Sequence, residues 1–274
     1  MMQVYGIDFT SRPSRQKPIV CLVCHYEDNH LEVASLLEWT TFDSFEDTLA
    51  ASGPWIAGID APFGQARKFL ENIGWPMTWE GYVDHVTSMS RQDFRKVLDG
   101  YRLMRPPGDK EHRRVTDIIA QSISPQKLFG TPVGLMFYEL VPRLRQANIT
   151  IPSVHNGDSN RFGVEAYPGV LARNLIGRRS YKQDAKVKQT KLQHAARREL
   201  YDLLGGKKFK GTYGMSVHAP VSLVEDPAGD QLDALFCAIQ AAWAWSRKED
   251  NFGMPKYVDP LEGWIADATL IPSA

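Results

Sequence analysis

The 274-residue chain contains no run long and apolar enough for a membrane span, and its N-terminus carries no signal-peptide core. A cytoplasmic protein without membrane association is therefore expected. Cysteine is scarce. Cys21 and Cys24 lie three apart in an apparent strand, so their side chains point to opposite faces, which argues against a shared zinc or a redox C-x-x-C. Buried strand thiols are the expectation instead. Net charge is absent too: 32 basic residues balance 32 acidic ones, so overall charge neither implies nor excludes a partner. The seven histidines are scattered, none at metal-ligand spacing, and His155 and His218 read as loop or core residues rather than as general bases. No P-loop, dinucleotide fingerprint or nucleophile elbow occurs in a strand–turn–helix context, and there is no internal repeat or low-complexity stretch.

What the chain does have is acids at the ends of apolar runs. Val4-Tyr5-Gly6-Ile7-Asp8 reads as a strand buried on both faces that stops on a carboxylate. Taken alone, Asp8 is an ordinary turn or capping residue. The pattern recurs, however, at Trp55-Ile56-Ala57-Gly58-Ile59-Asp60 and at Phe162-Gly163-Val164-Glu165, each followed by a Pro/Gly-containing turn. Strand carboxyl ends are where open α/β sheets place ligands. Three acids delivered there repel and desolvate one another unless a cation sits among them. A metal site is the economical expectation.

In chain order, Pro18–Tyr26 and Leu31–Trp39 follow the first strand as an antiparallel meander, with Glu27-Asp28-Asn29-His30 of hairpin length. Residues 42–51 read as a helix, and the Asp60 strand after it is expected parallel to the first. Residues 65–148 are helical, over 65–73, 80–103 and 133–146, and are expected to form an inserted cap on a single domain spanning 1–274. Within it, Arg113 and Arg114 are candidates to reach a phosphate above the acids. Ile149–Ile151 is a candidate short strand before the Glu165 strand. Between Arg173 and Lys210 twelve Lys or Arg residues face three acids, and a helix from about Ala185 to Leu204 is expected to carry much of that charge. Such a concentration, with Lys182, Lys186 and Lys188 nearest the third acid, suits a polyanion. The last strong helix, from Pro227 to about Arg247, opens with Asp230-Gln231-Leu232-Asp233. These two acids share a face, with N-terminal capping as the plain alternative for Asp230. Glu262–Ile265 is a candidate final edge segment.

This order of elements resembles the RNase H-like fold, a mixed five-stranded α/β sheet with strands 1–3 antiparallel and strands 4 and 5 parallel to strand 1. Around Val164–Pro168 and Asp230–Ala238 it is similar to the Holliday-junction resolvases. More closely, Gly6-Ile7-Asp8, Ile59-Asp60-Ala61-Pro62-Phe63-Gly64, Glu165-Ala166-Tyr167-Pro168 and Asp230-Gln231-Leu232-Asp233-Ala234-Leu235 resemble the domain of unknown function 429 family, regarded as RNase H-fold nucleases. The resemblance covers nearly the whole chain apart from 65–148. It implies Mg²⁺- or Mn²⁺-dependent hydrolysis of phosphodiesters in DNA or RNA, with two ions about 4 Å apart. Asp8 would bridge the ions and Asp60 and Asp233 would complete one each, with Glu165 and Asp230 as further catalytic members. The basic residues would hold flanking phosphates without base specificity. Three other readings stay open: a nucleic-acid-binding protein without catalysis, a small-nucleotide phosphohydrolase, and an actin-like or sugar-kinase-like phosphotransferase. The last lacks the glycine-containing phosphate turn it needs after Asp8.

Overall fold

The computed structural model describes residues 1–270 and is an α/β protein built on one mixed sheet of seven strands. These are β1 (Met2–Asp8), β2 (Ile19–Glu27), β3 (His30–Trp39), β4 (Trp55–Ile59), β5 (Ile149–Thr150), β6 (Asp158–Glu165) and β7 (Ser216–His218), in the order β5-β6-β4-β1-β2-β3-β7. The meander is observed, with β1 antiparallel to β2 and β2 to β3. Its second turn is Asp28-Asn29, both at positive φ, the backbone that a two-residue hairpin requires. β4 runs parallel to β1, and β6 runs parallel to β4. The expected count of five strands is corrected to seven. The two additions are edge strands: β5, at the candidate short strand Ile149–Ile151, and β7, whose three residues are too few to leave a period in the sequence. Residues 262–265 add only a single parallel bridge, from Ile265 to Glu165.

Ten helices flank the sheet among the described residues. α1 (Asp43–Ala50) lies between β3 and β4; α2 (Arg67–Ile73), α3 (Trp79–Thr87), α4 (Arg91–Leu103), α5 (Val115–Ile119) and α6 (Val133–Ala147) lie between β4 and β5. α7 (Pro168–Ile176), α8 (Lys191–Leu203) and α9 (Lys207–Tyr213) precede β7, and α10 (Asp230–Ser246) follows it. The sheet is covered on both faces. Tyr5, Ile7, Cys21 and Ile59 pack under Phe45, Phe69, Tyr82 and Phe137 on one side; Val4, Cys24, Ile56 and Val164 pack under Leu171, Leu200 and Phe236 on the other. Cys21 and Cys24 therefore do face opposite ways. Residues 65–148 are more than a cap, because with α1 they form the whole helical layer on one face of the core.

Three helix starts depart from the expected bounds. The single helix expected over 80–103 is two, because the Ser90 hydroxyl accepts from Asp93 N–H and starts α4. The helix expected from Ala185 begins at Lys191, where Thr190 and Gln193 form a reciprocal capping box. Its buried stripe includes Ala196 and Leu200 but not Leu192, which is 81 % exposed. α10 starts after Gly229, whose φ of +78° takes the left-handed backbone. No helix among the described residues is long and apolar enough to cross a membrane.

Candidate functional site

β1 and β4 are adjacent and parallel, so their acids emerge side by side. The Asp60 N–H donates to the Ile7 carbonyl at 2.9 Å, which locks the two strand ends together. α10 crosses the same strands at close range. An added β-carbon on Gly6 would meet the Ala234 carbonyl oxygen at 2.0 Å, and one on Gly58 would meet that of Cys237 at 2.2 Å. Strand residues two apart share a face, so Asp8 and Asp60 point to the side on which α10 lies. The first turn of α10 brings Asp233 to them. One carboxylate oxygen from each of Asp8, Asp60 and Asp233 lies within 4.8 Å of the others.

The trio is held in low-dielectric surroundings. Asp233 is fully buried and Asp8 is 9 % exposed, while Asp60 is half-buried. Burial, reinforced by the charges of Asp230 and Asp233, raises the Asp8 carboxyl well above the usual carboxylate range. Burial likewise pushes Asp60 up to about 7, Lys182 opposing and Asp233 adding to the shift. Asp233 accepts a hydrogen bond from the Tyr181 hydroxyl at 2.6 Å and another from the Lys182 ammonium. Lys182 has an exposed stem, but its head group reaches the cluster. Burial pulls its pKa down, yet Asp233 and the neighbouring Tyr181, Asp8 and Asp60 hold it well above the usual lysine range. A single ammonium against three carboxylates leaves the cluster acidic, and the donor set is all oxygen. That chemistry fits a hard divalent cation, whose oxygen ligands lie about 2.0–2.6 Å from the metal.

The remaining expected site residues separate into distinct groups. Asp230 lies on the same wall, where both its oxygens accept from Lys17 Nζ at 2.7 and 2.9 Å. Glu165 does not join the trio. The Phe63 N–H donates to it at 2.8 Å, and Arg114 donates through both terminal nitrogens at 2.7 and 2.6 Å. Arg114 is itself fully buried and also binds Asp117, so its expected phosphate contact is corrected: its fork is already filled by two carboxylates. Arg113 is exposed. Lys182 is engaged with Asp233, its head group reaching the acid cluster. Lys186 and Lys188 occupy an exposed 3₁₀ turn, away from the cleft lining. His155 pairs with Glu80 against Trp79, and His218 sits on β7; neither lines the cleft.

The cleft has two lobes. One, of about 410 Å³, exposes Asp8, Asp60 and Asp230 beneath Gly130–Pro132. The other, of about 320 Å³, is lined by Tyr167, Tyr181, Ile123 and Met136 above Glu165. Asp60, Thr131, Met136 and Lys182 line both, so the segment leading into α6 walls the cleft that contains Asp60.

A protein-family model described as a protein of unknown function, DUF429, matches residues 6–255. The chain belongs to this family. Comparison of this DUF429 protein with curated proteins and with solved structures returned no match. The match spans β1 through α10 and so includes every member of the trio.

Some functional positions have no local sequence signal. Lys17 meets Asp230 across 213 positions of chain. Arg197, buried within α8, donates to the Tyr181 carbonyl at 2.8 Å and anchors the loop carrying Tyr181 and Lys182. Gly6 and Gly58 do leave a signal, the repeated tripeptide Gly-Ile-Asp at 6–8 and 58–60.

Proposed function

We propose that this DUF429 protein is a metal-dependent phosphodiester hydrolase acting on nucleic acid, in a cytoplasmic setting and on an RNase H-like version of its seven-stranded sheet. One observation carries the reading. Carboxylates from two adjacent parallel strands and a buried helix converge to within 4.8 Å, and two of them, Asp8 and Asp60, line an open cleft. Asp8, Asp60 and Asp233 would hold Mg²⁺ or Mn²⁺, with Asp230 near enough to serve a second ion. When bound, such ions supply a water activated for attack and charge neutralisation at the leaving oxygen. The chain's own contribution is placement. The β1–β4 ladder and α10 fix the carboxylates before substrate arrives, and Tyr181 orients Asp233. Lys182 is the cation best placed to meet a phosphoryl oxygen, on a stem free to move.

A second reading, hydrolysis of a small nucleotide, is favoured by the lobe of about 320 Å³ beside the acids, which has the tyrosine and aliphatic walls suited to a nucleoside. A substrate panel in Mn²⁺ separates the two, set against Asp8→Asn. Cleavage of oligonucleotides by the parent protein, lost in a folded Asp8→Asn variant, is expected. Cleavage of nucleotides alone favours the second reading. Undiminished oligonucleotide cleavage by the variant removes Asp8 from the site and overturns the proposal.

A further inference from the structure

Next to the cleft lies a second cavity, of about 540 Å³, which the acid cluster does not explain. Arg113, Arg173, Arg178 and Arg179 wall it over the small residues Gly169 and Gly177. Among the described residues only Arg179 is neutralised, by a bidentate pair with Glu199 at 2.7 and 2.6 Å. Arg173 donates to the Ala120 carbonyl and Arg178 to the Gln121 side-chain oxygen at 2.8 Å; both acceptors are neutral. Arg113 has no carboxylate partner among the described residues. Three guanidinium charges thus share one concavity without a counter-charge among the described residues, in a protein whose formal charges balance overall. The neutral acceptors hold two of them in place. Gln121 does so from a strained backbone, with φ of +51°. Like charges gathered this way favour an anion, and the guanidinium fork matches the oxygens of a phosphate.

Position narrows the ligand. Gly169 and Tyr181 line both this cavity and the cleft lobe that contains Asp60. The Tyr181 hydroxyl bonds Asp233 at 2.6 Å, so one tyrosine side chain separates the arginines from the acids. We propose that the cavity formed by Arg113, Arg173 and Arg178 binds a backbone phosphate next to the one that is cut, so that the protein grips a nucleic-acid strand at two neighbouring phosphates. This rests on the hydrolase reading only for what the acid cluster does. The lysines at 186 and 188 are then secondary to the arginines.

The test is fluorescence anisotropy of a labelled oligothymidylate titrated in rising salt, with the Arg113→Ala/Arg178→Ala protein beside a charge-matched Lys96→Ala/Lys248→Ala control. The arginine variant is expected to bind at least about tenfold more weakly. Its plot of log affinity against log salt should flatten by about 0.7 for each phosphate that is no longer neutralised. Manganese binding by calorimetry and turnover of bis(p-nitrophenyl) phosphate, which has a single phosphorus, should match the parent. Equal weakening in the arginine variant and the control overturns the proposal, as does loss of manganese binding in the arginine variant. Displacement of the oligonucleotide by thymidine monophosphate at equal phosphate concentration overturns the two-phosphate grip. If the parent cleaves nothing, the hydrolase reading fails while the anisotropy still decides the arginine cavity.

Discussion

Gly58 lies opposite Gly6 in the parallel ladder between β4 and β1, and the backbone of α10 passes over both. The absent side chains let the helix sit on the sheet closely enough for Asp233 to reach Asp8 and Asp60. The Gly6→Ala substitution should therefore cost about 3 kcal/mol of stability, as overpacking against backbone does. It should also weaken Mn²⁺ binding, because the helix must lift. Urea unfolding and calorimetry measure the two effects. An unchanged unfolding midpoint would mean that the helix does not rest on Gly6.

Acidity sets a second expectation. Burial raises Asp60 to about 7 and holds Asp8 well above its ordinary range. An unfolded aspartate releases its proton near 3.9. Between about 4 and about 7 these two groups hold protons in the folded protein that the unfolded chain has lost, so their contribution to metal-free stability is fully present below this window and falls as pH rises through it. A divalent ion needs the deprotonated carboxylates, so the thermal stabilisation by Mn²⁺ should grow across the same interval. Melting curves with and without Mn²⁺ at about pH 5 and about pH 8 test the sign. Equal stabilisation at both would exclude Asp60 as a ligand.

Lys182 and a metal ion compete for one carboxylate. Removing the ammonium in Lys182→Met leaves Asp233 with only the Tyr181 hydroxyl, so the metal-free protein should melt earlier. Mn²⁺ should bind about tenfold more tightly, since one repelling charge has gone. Calorimetry on parent and variant gives the comparison, and weaker binding would contradict it.

Arg114 is a structural residue by every contact it makes. In Arg114→Met, Glu165 and Asp117 lose their shared counter-charge inside the protein, and a loss of about 3–5 kcal/mol is expected. Arg114→Lys should recover part of it, keeping the charge but not the fork. Should Arg114→Met unfold at the parent's urea concentration yet lose nucleic-acid affinity, Arg114 would return to the phosphate-binding residues.

Much of the layout is legible along the chain because it rests on local rules. The apolar runs ending at Asp8, Asp60 and Glu165, the Asp28-Asn29 hairpin and the two acids opening α10 each lie within a few residues of what specifies them. Thr190 and Gln193 are equally readable as a capping box, but the lysines scattered at 182, 186 and 188 before them obscure the boundary. The three-residue edge strand β7 leaves no such trace, and is a strand because β3 offers it hydrogen-bonding partners.

Local pattern therefore determined which acids end strands and which begin the last helix. It did not determine which of them meet. Glu165 and Asp60 look equivalent in sequence, yet tertiary packing gave one to Arg114 and left the other with Asp8 and Asp233. Lys182 and Arg114 read as surface cations until the fold turned their head groups inward. The physical reason is that periodicity and turn chemistry act over a handful of residues. Charge pairing acts through space, and its partners are chosen only when the sheet and α10 have closed on each other.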